Sequence, residues 1–249
     1  LPSTQEAGYL ASFQSLQKNG SARDPLWLRT LRDTAISKFS DLGFPVVRRG
    51  NEEWKYTDIR PIARIPFLPP AAALHERVRG IDLEPLTLGQ PGWSRLVFVD
   101  GSYVEELSSL SGLPAAVRVA NLAEAVDSSA NLVQQHLARH VDYEANAFAA
   151  LNTAFLHDGA FVHVPDGTLV EQPIHLIFIT TSQEQDIVSH PRVLVVTGEE
   201  SGATIIESYC SLSNSRYFTN GVVEMAIGPA SAVTHYKLQQ QSQQAYHVS

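Results

Sequence analysis

The feature that most constrains this chain is a change of period at Leu156. Before it, apolar residues recur every three or four positions. After it come short runs rich in β-branched and aromatic residues: Ala160–Val164, Ile174–Thr180, Arg192–Thr197, Ala203–Tyr209, Tyr217–Ala226 and Ala232–Leu238. Such residues fit a pleated, packed surface. The runs start 11 to 18 residues apart and are punctuated by Pro165-Asp166-Gly167, Ser201-Gly202 and Gly228-Pro229. This spacing allows a sandwich, a barrel or a β-solenoid. Asn220-Gly221, a common hairpin signal, falls inside a run. Ile174-His175-Leu176-Ile177-Phe178-Ile179 is apolar on both faces, as in a strand covered on both sides. The chain stops at Tyr246-His247-Val248-Ser249 with no capping element, so a cut C-terminus and an edge that pairs with another copy are expected.

The first third reads as helical. Leu10, Phe13 and Leu16 form one stripe within Ala7–Gln17. Asp24-Pro25 reads as an N-cap followed by proline at the first helical position. Leu28, Leu31, Ala35, Phe39 and Leu42 continue that helix, and Gly43 with Pro45 ends it. The stretch from Pro61 to Pro91 is proline-rich and aperiodic, an irregular connection. Arg95–Val99, Asp100-Gly101 and Tyr103–Leu107 read as strand, turn and returning strand. Helical patterns follow at Asn121–Val126, Asn131–His140 and Tyr143–Leu156. The last has Asp142 as its N-cap and Ala147, Phe148, Leu151 and Phe155 as its stripe.

With 249 residues the chain can bury a real core, and 44 % hydrophobic against 18 % charged residues marks it as globular. No apolar stretch approaches the roughly 20 residues of a membrane helix. The first residues lack a signal-peptide pattern, and with Met225 the only methionine, Leu1 reads as something other than the encoded start. One cysteine, Cys210, excludes an intrachain disulfide and any zinc or iron–sulfur site built from several of this chain's thiolates. A reducing compartment is expected. Residues 1–139 carry 15 basic and 15 acidic side chains, whereas residues 140–249 carry 3 and 11. An acidic second part would repel phosphates, which argues against nucleic acid.

None of Lys18, Lys38, Lys55 and Lys237 follows glycine, so there is no P-loop, and neither Gly-x-Gly-x-x-Gly nor Gly-x-Ser-x-Gly occurs. His136 and His140 stand at i and i+4, a spacing that can place two imidazoles on one metal, but Leu137 replaces the glutamate of a metalloprotease helix and no third ligand is evident. They are read as exposed helix histidines. His157 and His163 show no ligand pattern. Cys210 reads as a small buried hydrophobe. Asp158, Asp166, Glu171 and Glu207 are candidate carboxylates for glycoside chemistry, read as solvated turn residues because nothing in their spacing makes them converge. Trp54 and Tyr56 share a face if Glu53–Thr57 is a strand, docking on the helices or forming a binding platform.

Glu53-Trp54-Lys55-Tyr56-Thr57, preceded by Gly43-Phe44-Pro45 and Arg49, resembles the N-terminal signature of SufD-type iron–sulfur cluster assembly proteins. Further similar pieces follow in family order. They are Leu96–Gly101, Ala150-Leu151-Asn152-Thr153-Ala154-Phe155, His190-Pro191-Arg192, Ala203–Glu207, Phe218-Thr219-Asn220 and His235-Tyr236-Lys237-Leu238-Gln239. The Trp-Lys-Tyr-Thr region is less like the SufB-type subunit.

The resemblance implies a fold: a mixed α and β chain with an N-terminal helical domain followed by a right-handed parallel β-helix (β-solenoid), here C-terminally truncated. The expected division is 1–92, helical with a proline-rich connection; 93–157, a strand pair and helices; and 158–249, an incomplete β-helix. It implies a non-catalytic scaffold subunit working with a SufB-type partner and a SufC-type ATPase. Cluster is carried transiently by the whole complex, and this fragment binds no cofactor or metal. A homodimer is left open; nucleic acid and membrane are not expected, and the cytoplasm or a plastid stroma is the implied home. The family's ATPase-docking helices and partner-interface residues lie beyond this stretch, so no catalytic, cofactor or metal residue is carried over, and His247 lies too early to match the family's histidine. The rival readings are a β-helix carbohydrate-active enzyme and a purely structural solenoid module.

Overall fold

The computed structural model describes residues 4–19, 24–45, 54–71, 73–88, 92–181 and 186–249. Two long helices open the chain, α1 (Thr4–Asn19) and α2 (Leu26–Leu42). Pro25, not Asp24, occupies the N-cap of α2 and makes no side-chain cap; Asp24 instead takes the Arg32 guanidinium in an ion pair. Gly43 adopts φ 64° and returns its N–H to the Phe39 carbonyl, so the left-handed stop read from sequence is present. Short helices α3 (Arg60–Arg64) and α4 (Leu74–Arg77) lie in the proline-rich connection.

Strand β1 (Ser94–Val99) is followed by β2 (Ser102–Tyr103), β3 (Arg118–Asn121), α5 (Leu122–Ser128), α6 (Ala130–His136) and α7 (Ala147–Ala154). The cap of α7 is Asn146, whose side chain accepts the N–H groups of Phe148 and Ala149 at 3.0 and 3.1 Å. Every residue of α7 is buried, so it is a core helix and not a one-sided stripe.

The strand-rich part contains β4 (Gly159–Val164), β5 (Ile174–Thr180), β6 (Ile187–Ser189), β7 (Arg192–Thr197), β8 (Gly202–Ser211), β9 (Tyr217–Asn220), β10 (Val222–Ile227), β11 (Ala232–Gln240) and β12 (Tyr246–Val248). They form three sheets, in the orders β11-β8-β5-β1-β2, β10-β7-β4-β3 and β12-β9-β6. From β4 onward successive strands go to different sheets, so the pairings among them are long-range and parallel. Gly159 marks one close approach: a Cβ there would stand 1.9 Å from the Arg192 carbonyl oxygen, so only glycine fits.

The expected helical domain followed by a right-handed parallel β-helix over 158–249 is corrected. Strands enter the sheets from Ser94, well before residue 158. The pairs β1–β2 and β3–β4 are antiparallel, so two of the sheets are mixed, and all three are open. The helices are not a separate leading unit either. Tyr9, Phe13 and Phe39 share one apolar cluster with Phe148 of α7, Val188 of β6 and Phe218 of β9. The physical reason is that run spacing shows where the chain is extended, not which strands pair. Pairing is set by which apolar faces must be covered together.

A second cluster fills the space between the two larger sheets with Leu96, Phe98, Val162, Leu176, Phe178, Val195 and Ile205. Parallel register stacks like on like: Phe98, Phe178 and Tyr209 lie on adjacent strands with ring centroids 5.0 and 4.9 Å apart. Each such ring pair adds about 0.5–1.5 kcal/mol beyond burial.

Candidate functional site

Two buried carboxylates organise the polar chemistry of the sheets. The first is Glu224 on β10. The Arg192 guanidinium donates to Glu224 Oε1 from Nε at 3.0 Å and from Nη2 at 2.6 Å, with both side chains fully buried. Arg192 Nη1 donates to Asn152 Oδ1 (2.8 Å) and Thr153 Oγ1 (3.2 Å) of α7. Asn152 Nδ2 in turn donates to the carbonyls of Pro191 and Asn220. Asn220 Nδ2 donates to the Phe148 carbonyl and lies 3.2 Å from His190 Nδ1. Glu224 also accepts the backbone N–H groups of Ala138 and His140, each at 2.9 Å. Asn152-Thr153, His190-Pro191-Arg192 and Asn220, scattered along the sequence, thus meet in one network that fastens α7 to the sheets.

The second carboxylate is Glu207 on β8, completely buried. The in-register column Leu96, Leu176, Glu207, Lys237 runs from apolar to charged, and Ser94, Ile174, Ile205, His235 runs beside it. Glu207 Oε2 accepts the Tyr209 hydroxyl at 2.7 Å, and Oε1 faces His235 Nε2 at 2.5 Å. Lys237 Nζ stands 5.0 Å from the centre of the Tyr209 ring. His247 of β12 meets the Tyr209 ring edge-on at 4.7 Å, and its Nδ1 donates to Gln241 Oε1 at 2.9 Å. Its Nε2 is buried without a partner.

Environment sets the protonation. Burial, with Glu207 adding to it, raises the Tyr209 hydroxyl well above the ordinary tyrosine value. Burial and then Lys237 bring His247 down to about 4, so it is neutral at pH 7 with a lone pair on Nε2. Desolvation lowers the Lys237 ammonium, and Glu207 opposes this. The cluster holds a carboxylate, a cation and an unused acceptor side by side. It can hold a small polar group or a proton; it contains no activated nucleophile. Cys210, one residue beyond Tyr209 and on the other face of β8, lies 3.9 Å from Gln240 Oε1. Burial raises its thiol to about 11, which keeps it protonated and unreactive.

The remaining candidates fall elsewhere. Asp158 is buried and accepts the N–H groups of Tyr103, Ala123 and Gly159, so it is a structural acceptor and not a solvated turn residue. Glu207 is likewise not solvated. Asp166 accepts the Glu199 N–H in a turn, and Glu171 is exposed. Residues 54–56 form a turn in which the Thr57 N–H reaches the Trp54 carbonyl, so no strand puts Trp54 and Tyr56 on one face. Trp54 packs on Phe148 at 5.2 Å, whereas Tyr56 is 91 % exposed. Arg49 and Glu53 lie outside the described residues. Among the described residues no group of three or more His, Cys, Asp or Glu is arranged to hold a metal ion. Nor is any helix there long and apolar enough to cross a membrane.

The roles of Glu224, Arg192 and Lys237 escape a linear reading. The available signal is alternation: Glu207 and Tyr209, and His235 and Lys237, stand two apart in β-rich runs and so share a face.

Sequence comparison sets this geometry in the SUF system for iron–sulfur cluster assembly. Residues 3–176 match the SufBD protein N-terminal region, and residues 178–249 match the SUF system FeS cluster assembly, SufBD core domain. The chain belongs to the SufBD family, and within it to the SufD type. An iron–sulfur cluster assembly SufBD family protein of Synechocystis is 31 % identical over 226 residues, 88 % of this chain and 49 % of the relative. The iron–sulfur cluster assembly protein SufD of Bacillus subtilis is 24 % identical over 240 residues, 91 % of this chain and 50 % of that protein. SufB of the same bacterium aligns over only 83 residues, 33 % of this chain and 17 % of that protein, at 30 % identity. The chain spans about half the length of the SufD-type relatives it matches.

Proposed function

We propose that this chain is part of a non-catalytic scaffold subunit on which iron–sulfur clusters are assembled, together with a SufB-type subunit and a SufC-type ATPase. The observation that carries the reading is the match to both SufBD regions in order along the chain. The chemistry agrees with it. This stretch carries no Gly-Lys-Ser/Thr loop, in keeping with an ATPase on a separate subunit. A cluster usually takes four protein ligands, and this stretch offers one buried, protonated thiol, in keeping with a cluster shared with a partner as cargo. Rigid sheets whose strands are fixed by their neighbours suit a subunit that presents surfaces. The carbohydrate-enzyme alternative needs converging carboxylates, whereas Asp158, Asp166 and Glu207 each serve a different local set of partners.

The test is reconstitution of the natural full-length protein with SufB-type and SufC-type partners. Co-purification as one complex and cluster formation that survives Cys210→Ser are expected. Failure to join such a complex, or loss of assembly in Cys210→Ser while folding and partner binding stay intact, would overturn the scaffold reading.

A further inference from the structure

The turn after α6 carries two histidines whose placement the structure fixes from below. Helix α6 ends at His136, Leu137 caps it, and Ala138 adopts φ 58°, a left-handed conformation that costs a non-glycine residue energy. The Arg139 N–H returns to the His136 carbonyl at 3.2 Å, which folds the chain back on itself. The two oxygens of Glu224, itself held by Arg192, take the N–H groups of Ala138 and His140. A fully buried ion pair thus holds a reverse turn whose Leu137 and Ala138 are buried and whose Arg139 and His140 are exposed.

The consequence is the meeting of two imidazoles. His136 Nδ1 and His140 Nε2 stand 3.2 Å apart. The rings lie 20° from parallel with centroids 5.5 Å apart. The nitrogen separation is shorter than the centroid separation by about two ring radii, so the rings meet edge to edge with these nitrogens facing, one donating its proton to the other's lone pair; an ion would take the place of that proton, with each ring turning to aim its lone pair at it. His140 is exposed and His136 half-buried, so the pair is open to solvent. Metal–imidazole bonds of about 2.0–2.1 Å, at the angles common for divalent ions, place two nitrogens about 2.9–3.4 Å apart.

We propose that His136 and His140 form a surface site for a late first-row divalent cation of the zinc–copper class, completed by water. Imidazole pairs select such ions over magnesium, calcium or manganese. The pinned turn fixes the backbone that carries the two rings, so binding has only to turn the rings. This inference is independent of the scaffold reading: it concerns the turn alone and holds or fails with metal binding to the isolated protein.

The test titrates the purified protein with Zn2+ by calorimetry and with Cu2+ by electron paramagnetic resonance. Expected are a tightest site with one ion per chain and hyperfine splitting from two imidazole nitrogens. His136→Ala and His140→Ala should each weaken that site by about tenfold or more. The double variant keeps neither imidazole and should lose the site altogether. His140 is exposed, so its replacement leaves the fold intact, as far-ultraviolet circular dichroism would show. Binding unchanged within twofold in His140→Ala, a tight site that persists in the double variant, or a single-nitrogen spectrum would each overturn the proposal.

Discussion

The Glu224 and Glu207 regions use the same ingredients and close them differently. Each centres on a carboxylate with no solvent exposure, supplied by a β-strand. Glu224 faces a guanidinium that is also fully buried, and that guanidinium is bound on its far side by Asn152 and Thr153. Glu207 faces His235, whose side chain is 27 % exposed, on the edge strand β11. Beside it His247 keeps an unpartnered nitrogen. A buried charge enclosed by donors on all sides fixes structure, because any change leaves a partner stranded. A buried charge enclosed on one side keeps polar capacity facing the edge of the sheet. The comparison teaches that burial alone does not separate a structural acid from a functional one; the closure of its partner set does.

The largest expected effect breaks the closed region. Arg192→Ala strands Glu224 and unties α7, and should cost about 3–5 kcal/mol, read as a shift of the urea midpoint. A loss below about 1 kcal/mol would mean that the network is not closed as described. Replacing both partners, Arg192→Met with Glu224→Leu, should recover part of that loss. Recovery should be incomplete, because the N–H groups of Ala138 and His140 remain without an acceptor.

Asn152→Ala comes next. It removes an acceptor from Arg192 and a donor from two buried carbonyls, for about 1–3 kcal/mol in the same assay. Glu207→Gln should cost less, about 1 kcal/mol, since His235 at the edge can turn to water. A Glu207 loss as large as that of Arg192 would erase the distinction between the two regions.

The smallest effect at neutral pH belongs to the buried histidines and shows as a pH slope. His247 and His175 titrate near 4 in the folded chain and His190 near 3, all lowered first by burial. Unfolded histidine titrates near 6.5. Each lowered group contributes stability that is complete above pH 6.5 and is lost as pH falls toward its folded value, because the unfolded chain binds the extra proton. His247→Phe should reduce the slope of stability against pH between 4 and 6.5 by about one proton, with little change at pH 8. An unchanged slope would place His247 in contact with solvent.

Parts of this fold are legible in the sequence. Ile174–Thr180 and Arg192–Thr197 can be read to the residue, since continuous apolar β-branched runs leave few alternatives. The close of α2 is legible at Gly43 because a left-handed stop needs glycine there. Strands β6 and β12 are not, because three residues carry no periodicity and are held extended by partners from elsewhere. The run Tyr217–Ala226 divides at Gly221 into strands of two different sheets, a division local propensity does not encode. Trp54 and Tyr56 share a face only in a strand; the turn sends them apart.

The sequence by itself determines where the longest helix and the continuous β-rich runs lie, that this stretch has a single thiol, and which family it belongs to. These are properties of residues and their near neighbours, and of ordered motifs. Only the tertiary structure decides what the motifs do. Arg192 and Glu224 are 32 positions apart, and Asn152 is 40 from Arg192. They meet because β10 lies beside β7 in parallel register and α7 packs across them. The same register sets Lys237 beside Glu207 and leaves β11 at an edge. Strand pairing is non-local, and the free energy that selects it belongs to the whole buried core. Which carboxylate is sealed and which stays open is therefore settled only when all the layers are assembled.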